Sequence, residues 1–458
     1  MERPKVLIVG GGFAGVECAR RLERQLQPYE AELTLVTPTS YELYLPLLPQ
    51  VASGVLTPQS VAAPLRRLLR RTHIVPGGAV GIDTDAKVCV VRLITDEMVN
   101  ERYDYLVLTP GSVTRSFDIP GLDMYGRGMK TLAEAAWVRD HVIAQLDIAS
   151  ATEDEAERAA RLQFVVVGGG YAGTETVACL QRLTNSALRR YPRLDPSLIK
   201  WHLVDLAPKI MPELGDRLGR RALQIIRGRG TEVSLGVSVS EVTENTVSLT
   251  DGRTLPCHTL IWTAGVAASP LIGTLGLDTV RGRLAVTADL RVHGADGVFA
   301  LGDAAAVPDL AKAAEGEYDA ICPPTAQHAM RQGWRAAGNV AATLRGEATQ
   351  PYRHKDLGLV VDLGGCDAVA RPLGFELTGL SAQLVTRGYH FGALRTGTAR
   401  ARTAANWVLN SLTGDDFVRT GFLARSAGRL ADFERTDAYL SQEQRDKLTS
   451  MATSRPER

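Results

Sequence analysis

The sequence has no Cys-x-x-Cys pair. Its six cysteines, Cys18, Cys89, Cys179, Cys257, Cys322 and Cys366, lie far apart. A zinc ribbon or a thioredoxin-like dithiol is therefore not expected, and no metal site is predicted. Such sparse cysteine use suits a reducing compartment. An excess of one charge is also lacking: 52 Lys and Arg stand against 51 Asp and Glu, a formal net charge of +1. That balance argues against a general nucleic-acid binder. No run of about 18 apolar residues occurs, so no spanning helix is expected, while attachment to a membrane surface stays open. The chain opens MERPKVLIVGGG, directly into a strand pattern, and no signal peptide is predicted.

Glycine is abundant, 44 of 458 residues, against a usual share of about 7%. Its placement is informative. Residues 4–22 read PKVLIVGGGFAGVECARRL and residues 162–180 read LQFVVVGGGYAGTETVACL. Each is an apolar run, three glycines, an aromatic-Ala-Gly step and a helical pattern. The spacing is too long for a solenoid repeat and fits two copies of one nucleotide-binding unit. Further buried-strand patterns follow at 32–38, 103–111, 200–208, 259–265 and 297–303. Strands alternating with helices predict an α/β fold built on parallel sheets. Charged or proline-bearing stretches at 149–161 and 189–200 read as connections, as does the tail after about 440.

Gly10, Gly12 and Gly15 form one G-x-G-x-x-G fingerprint, and Gly168, Gly170 and Gly173 form another. The first glycine permits a sharp turn, the second admits a pyrophosphate and the third allows close packing of helix on strand. Phosphates then face free N–H groups and the positive end of the helix dipole. The residue ending the second strand is expected to hold ribose hydroxyls. In the second copy it is Asp205, a carboxylate that repels a 2′-phosphate and favours NAD over NADP, with Lys209 nearby keeping NADP open. In the first copy it is Thr37, which carries no charge.

Two such units followed by GVFALGDAAA (297–306) resemble the two-dinucleotide-binding flavoproteins. The resemblance implies FAD in the first site and NADH in the second, with Gly302 and Asp303 on the flavin side. Three stretches resemble the type II NADH dehydrogenases, single-subunit NADH:quinone oxidoreductases: YLPLLPQVASG (44–54), GGGYAGTE (168–175) and TAQHAMRQG (325–333). The last departs from the family's AQxAxQ motif at Arg331, with Gln332 beside it, and Pro49 replaces a family tyrosine. This resemblance extends the expected cofactor contacts to Phe13, Ala14, Pro46, Thr109, Gly111, Gly265 and Ala326. It implies Gln327 as a partner for a quinone carbonyl, with Gln50 as a second candidate, and sets Glu175 at the nicotinamide–flavin interface as the proton-handling group. His328 reads as a solvent-facing side chain.

The expected domains are 1–115 and 270–348 for FAD, 116–269 for NAD(P)H, and a C-terminal unit at 349–458. Within the last, residues 395–423 alternate Arg395, Arg400, Arg402 and Arg419 with Trp407, Val408, Leu409, Leu412, Phe417 and Phe422. That pattern suits an interfacial helix, and it suits equally a helix packed on its own protein or on a second copy. The expected protein is a peripheral enzyme on the cytoplasmic side of the cell membrane, with quinone, the membrane surface and a homodimer mate as partners. Three other activities are weighed against it: a soluble NAD(P)H-dependent reductase of a ferredoxin or small acceptor, a redox sensor holding FAD and NADH, and a sulfide:quinone oxidoreductase. The last rests on Cys322, beside the expected flavin edge.

Overall fold

The computed structural model describes residues 3–421 together with 429, 430 and 444. Phe422 and most of the tail lie outside the described residues. Two parallel sheets organise the chain. The first runs in the order Val298–Ala300, Tyr105–Leu108, Lys5–Val9, Glu32–Thr37 and His73–Asp83, then continues antiparallel through Val88–Leu93 and Met98–Arg102. The second runs Gly126–Arg127, Leu260–Trp262, Gln163–Val167, Lys200–Asp205 and Thr231–Leu235, all parallel. Both sheets thus place the fingerprint strand in the middle and the strand that follows its helix on one side. The middle strands are buried on both faces after their first residue, which is why they read as the apolar runs VLIV and FVVV.

The chain crosses between the sheets twice, and the crossings pair. Ser112–Thr114 leaves the first sheet and Val266–Ala268 returns to it as an antiparallel ribbon. The bonds from Arg115 N–H to the Gly265 carbonyl and from Ser269 N–H to the Gly111 carbonyl, each 3.0 Å, extend this ribbon at both ends. Helix Ala326–Leu344 is capped by Thr325, whose hydroxyl accepts the His328 N–H. It crosses helix Phe13–Gln25 so closely that a Cβ on Gly333 would collide with the Ala14 carbonyl. Glycine is required at that crossing.

The 149–161 stretch is not a loop. Helix Leu132–Ala151 runs into it, and Glu155–Arg161 forms a second helix. Asp154 caps that helix through the Ala156 and Glu157 N–H groups, and Glu157 pairs with Arg161 one turn on. The charges that suggested a linker are its cap and an i,i+4 pair. After residue 349 comes a three-stranded antiparallel sheet, Val360–Asp362, Ala368–Ala370 and Leu377–Thr378, then helices Gly379–Ala393 and Gly397–Thr413.

Candidate functional site

The two glycine turns repeat each other atom for atom. Gly10 and Gly168 sit at φ +108° and +111°, a region that side chains resist. Gly10 N–H donates to Val36 O at 2.9 Å, and Gly168 N–H donates to Val204 O at 2.8 Å. Behind each stands a threonine from the neighbouring strand end. The Thr109 N–H and hydroxyl both donate to Val9 O, at 2.9 and 2.7 Å; those of Thr263 both donate to Val167 O, at 2.8 and 2.6 Å. A Cβ on Gly15 would strike Gly10 O, and one on Gly173 would strike Gly168 O. Thr263 was not expected from sequence, although its strand end matches that of Thr109.

Gly12 and Gly170 differ from their neighbours. Each is the N-cap of its helix with no side chain capping it, and a Cβ there would meet nothing within 4 Å. Open space beside uncapped N–H groups is what a pyrophosphate needs. Both cradles fit a dinucleotide.

Asp205 and Thr37 occupy matching places. The Asp205 carboxylate accepts the Gly169 N–H and, at 2.6 Å, the Ala207 N–H. Thr37 lies buried under Gly11, where a Cβ would come within 2.5 Å of its hydroxyl. Threonine in the first copy is thus a packing fit beneath the loop. Lys209 is paired with Asp216 at 2.8 Å on the surface.

Gly302, at φ +72°, lies 3.4 Å (as a Cβ) from the Ala14 Cβ, which sets the late motif against the first cradle. The Asp303 carboxylate accepts the Ser112 hydroxyl at 2.5 Å, and Lys130 Nζ donates to that same hydroxyl oxygen at 2.7 Å. Gln332 Oε1 accepts the Gly302 N–H at 2.8 Å. Gln332, adjacent to the position where the motif departs, therefore supports the flavin-side turn. Arg331 itself donates to Lys355 O. Phe13 is buried with its ring edge-on to Tyr44, 5.9 Å between centroids. Ala326 opens its helix, Gly111 and Gly265 begin the two crossings, and Pro46 sits half-buried in the turn Leu45–Leu47.

Glu175 is only 8% exposed, and Asp362 6%. Glu175 Oε1 accepts the backbone N–H of Asp362 at 2.8 Å. The Asp362 carboxylate accepts from Gln50 Nε2 at 2.6 Å, Gly364 N–H at 2.7 Å and Gln383 Nε2 at 3.3 Å. Gln50 Oε1 in turn accepts the Trp407 indole N–H at 2.8 Å. Two of the sequence candidates, Glu175 and Gln50, therefore meet through Asp362, which sequence reasoning missed. Burial pushes the Glu175 carboxyl well up, and the Asp362 charge adds to the push. Three donors converge on the Asp362 carboxylate and one on Glu175, and burial favours the protonated form of Glu175.

Gln327 stands apart from this cluster. Its Nε2 donates to Gly358 O at 3.1 Å, and its buried Oε1 has no hydrogen-bond partner among the described residues. His328 is not solvent-facing. It is buried, stacked on His354 with centroids 3.8 Å apart, and in contact with the Tyr352 hydroxyl through Nδ1 at 3.1 Å. Burial, then the neighbouring His354, lowers it to about 4. Cys322 is buried, and desolvation lifts its thiol to about 12, which suits a small apolar residue and not a nucleophile. Arg395 and Trp407 turn toward their own protein, the alternative to an interfacial helix. Arg395 is an internal ion-pair partner of Glu17 and Glu42, and Trp407 points its N–H inward.

The family model for pyridine nucleotide-disulphide oxidoreductases matches residues 4–333. The type II NADH:quinone oxidoreductase Ndh of Mycobacterium tuberculosis is 28% identical over 429 residues, covering 90% of this chain and 89% of that protein. NdhA of the same organism, also a type II NADH:quinone oxidoreductase, is 33% identical over 328 residues, 69% of each. The solved structure of NDH2 from Plasmodium falciparum in complex with NADH shares the fold, with a TM-score of 0.82 at 19% identity, covering 91% of this chain and all of that one. The twin cradles, the Gly302–Asp303 turn and these relatives agree: the chain belongs to the pyridine nucleotide-disulphide oxidoreductase family and, within it, to the type II NADH:quinone oxidoreductases.

Proposed function

We propose that the chain is an FAD-dependent NADH:quinone oxidoreductase that does not pump protons, with FAD in the first cradle and NADH in the second. Bound FAD would supply the redox chemistry that no side chain offers, taking a hydride from NADH and passing two electrons to a quinone. Gly10, Gly12 and Gly15 hold the FAD phosphates, and the Asp303 turn, braced by Ser112, Lys130 and Gln332, holds the other end. Gly168, Gly170 and Gly173 hold the NADH phosphates. Asp205 accepts from the ribose and disfavours a 2′-phosphate, and the pairing of Lys209 with Asp216 supports NADH over NADPH.

The observation that carries this reading is the Glu175–Asp362 pair at the start of the second-cradle helix. Reduction of a quinone needs protons, and Glu175 holds one in a buried place. Asp362 fixes the Glu175 carboxyl through its N–H, and three donors fix its own carboxylate. Gln50 and Gln383 hold Asp362 in place, and Gln327 offers an amide toward the quinone. The buried Cys322 thiol argues against sulfide chemistry.

Among the described residues no helix is long and apolar enough to cross a membrane. Leu380, Leu384 and Phe391 on helix Gly379–Ala393, with Val408, Leu409 and Leu412 on helix Gly397–Thr413, are exposed. They supply an apolar surface for peripheral attachment on the cytoplasmic side, where a lipophilic quinone is reached. An anaerobic NADH titration followed by visible absorbance tests the reading. The yellow band should bleach with NADH and return on adding a quinone analogue. A colourless protein, or a bleached one that no quinone reoxidises, overturns it.

A further inference from the structure

Away from both cradles lies a basic cleft that the redox reading leaves unused. It encloses about 870 Å³ between the later half of helix Phe13–Gln25, residues 67–71 and the start of helix Gly397–Thr413. Arg20, Arg24, Arg67, Arg70 and Arg71 line it, with Arg395 at the back. Glu23, the acid in this lining, is taken up by backbone: its carboxylate accepts the N–H groups of Arg70, Arg71 and Thr72 at 3.0, 2.8 and 2.8 Å. Arg395 and Arg20 are balanced from behind by Glu17, and Arg395 also by Glu42. The Arg71 guanidinium reaches neutral carbonyls, those of Glu23 and Leu26. The Arg67 guanidinium donates to the Thr398 hydroxyl at 3.0 Å. Among the described residues no carboxylate pairs with Arg24, Arg67, Arg70 or Arg71, and all four are exposed. Like charges gathered on one rim repel one another until an anion enters.

A second observation continues from the same rim. Thr398, which meets Arg67, begins an exposed stripe on helix Gly397–Thr413 made of Ala401, Ala405, Val408 and Leu412, with Leu409 beside it. The steps of three and four residues put these on one face. The opposite face is seated on the protein: Thr403 is fully buried, and Asn406 and Trp407 donate to Ser60 and Gln50. At 1.5 Å per residue the stripe is about 21 Å long. A cluster of cations opening onto an apolar track matches a molecule with an anionic head and a hydrocarbon tail.

We propose that the cleft and the stripe form one binding site for an anionic phospholipid. Its phosphate lies among Arg24, Arg67, Arg70 and Arg71, and an acyl chain lies along the stripe from Thr398 to Leu412. This site rests on the peripheral-membrane reading above and specifies it, because it fixes which headgroup the enzyme prefers and which face turns to the bilayer. A free phosphate would satisfy the arginines and leave the stripe unexplained.

The test uses the FAD-loaded full chain and co-sedimentation with vesicles of phosphatidylcholine, alone or mixed with phosphatidylglycerol. The native protein should bind the anionic vesicles more tightly, and added salt should weaken that binding. The triple variant Arg24→Gln, Arg67→Gln, Arg70→Gln should lose roughly a hundredfold in affinity for anionic vesicles, each cation near a charged surface contributing about fivefold. Val408→Ser with Leu412→Ser should weaken binding to both kinds of vesicle. NADH oxidation with a water-soluble quinone analogue should be unchanged in every variant. If that oxidation is absent from the native protein, the redox reading fails and the lipid site is still judged by sedimentation. Four results would overturn the site: equal binding to both vesicles by the native protein, full binding by the triple variant, inorganic phosphate alone bound as tightly as the anionic vesicles, or a stripe variant that changes oligomeric mass and leaves vesicle binding intact.

Discussion

Glu175 and Asp362 come from different ends of the chain, and the backbone N–H of one meets the carboxylate of the other at 2.8 Å. The contact joins the second nucleotide turn to the C-terminal sheet. It gives a buried acid a fixed direction, while burial favours its protonated form. Glu175→Gln keeps the shape and the acceptor oxygen but removes the titrating proton. Quinone reduction should fall by about a hundredfold or more, the usual scale for a positioned proton donor, while FAD content stays at the native level. Stopped-flow absorbance separates the two half reactions, and flavin bleaching by NADH should be affected far less than reoxidation. Native turnover in the variant would remove Glu175 from the proton path.

The same carboxyl predicts a stability profile. Burial raises it in the folded state. In the unfolded chain it therefore ionises first. Between the unfolded and folded values the folded protein holds a proton that the unfolded chain has released, so this group's contribution to stability falls as pH rises through that window. Glu175→Gln cannot titrate, and its Tm should decline less with pH above the ordinary carboxyl range. Parallel Tm curves would mean that another group sets the slope.

Asp362→Ala should leave the Gln50 and Gln383 amides and the Gly364 N–H without their shared acceptor. Unmatched buried polar groups cost about 1–3 kcal/mol each, so a loss of about 3 kcal/mol is expected in urea unfolding of the FAD-loaded enzyme. Asp362→Asn, which keeps an acceptor oxygen and the volume, should lose less. Equal losses would show that charge, not the hydrogen bonds, holds this cluster.

Two glycines of one fingerprint should behave in opposite ways. Gly12→Val puts its Cβ where the protein has nothing within 4 Å, so the fold should survive and the protein should come out colourless. Gly15→Val drives its Cβ into the Gly10 carbonyl and should destabilise the fold by about 1–3 kcal/mol or more, as overpacking does. Flavin absorbance together with circular dichroism distinguishes them. A yellow Gly12→Val protein would refute the first-cradle assignment.

Asp205→Asn keeps the volume and one of the two oxygens that accept from Gly169 and Ala207, and removes the negative charge. The ratio of kcat/KM for NADH over NADPH should fall by about tenfold, equivalent to about 1.4 kcal/mol. An unchanged ratio would place nucleotide discrimination elsewhere.

The parts of this site legible in the sequence were those where backbone geometry forbids a side chain. Gly10, Gly15, Gly168 and Gly173 follow from that rule, and so does the repeated fold. Gln50 and Glu175 could be named one at a time. Their meeting could not, because Asp362 sits in an undistinguished strand and becomes important only once that strand lies against the second nucleotide turn. Trp407 shows a related limit. An aromatic among arginines has the same spacing whether it enters lipid or turns inward, and here a hydrogen bond to Gln50 turns it inward. Acidic and basic residues at 149–161 were read as a connection because a capped, charged helix and a polar loop share a composition. Thr37 looked like a missing acid until the closeness of Gly11 showed it as a fitted side chain.

The paired crossings have a consequence for how the protein is made. The second sheet is inserted between Tyr105–Leu108 and Val298–Ala300, which are neighbours in the first. During synthesis the ribosome must release the whole inserted unit before the outer strand of the earlier sheet exists. The nascent chain therefore carries an open edge at Tyr105–Leu108 while its guest matures. Newborn molecules should depend on chaperones most during that interval, and stop-codon truncations just before residue 298 should aggregate where the full chain stays in solution.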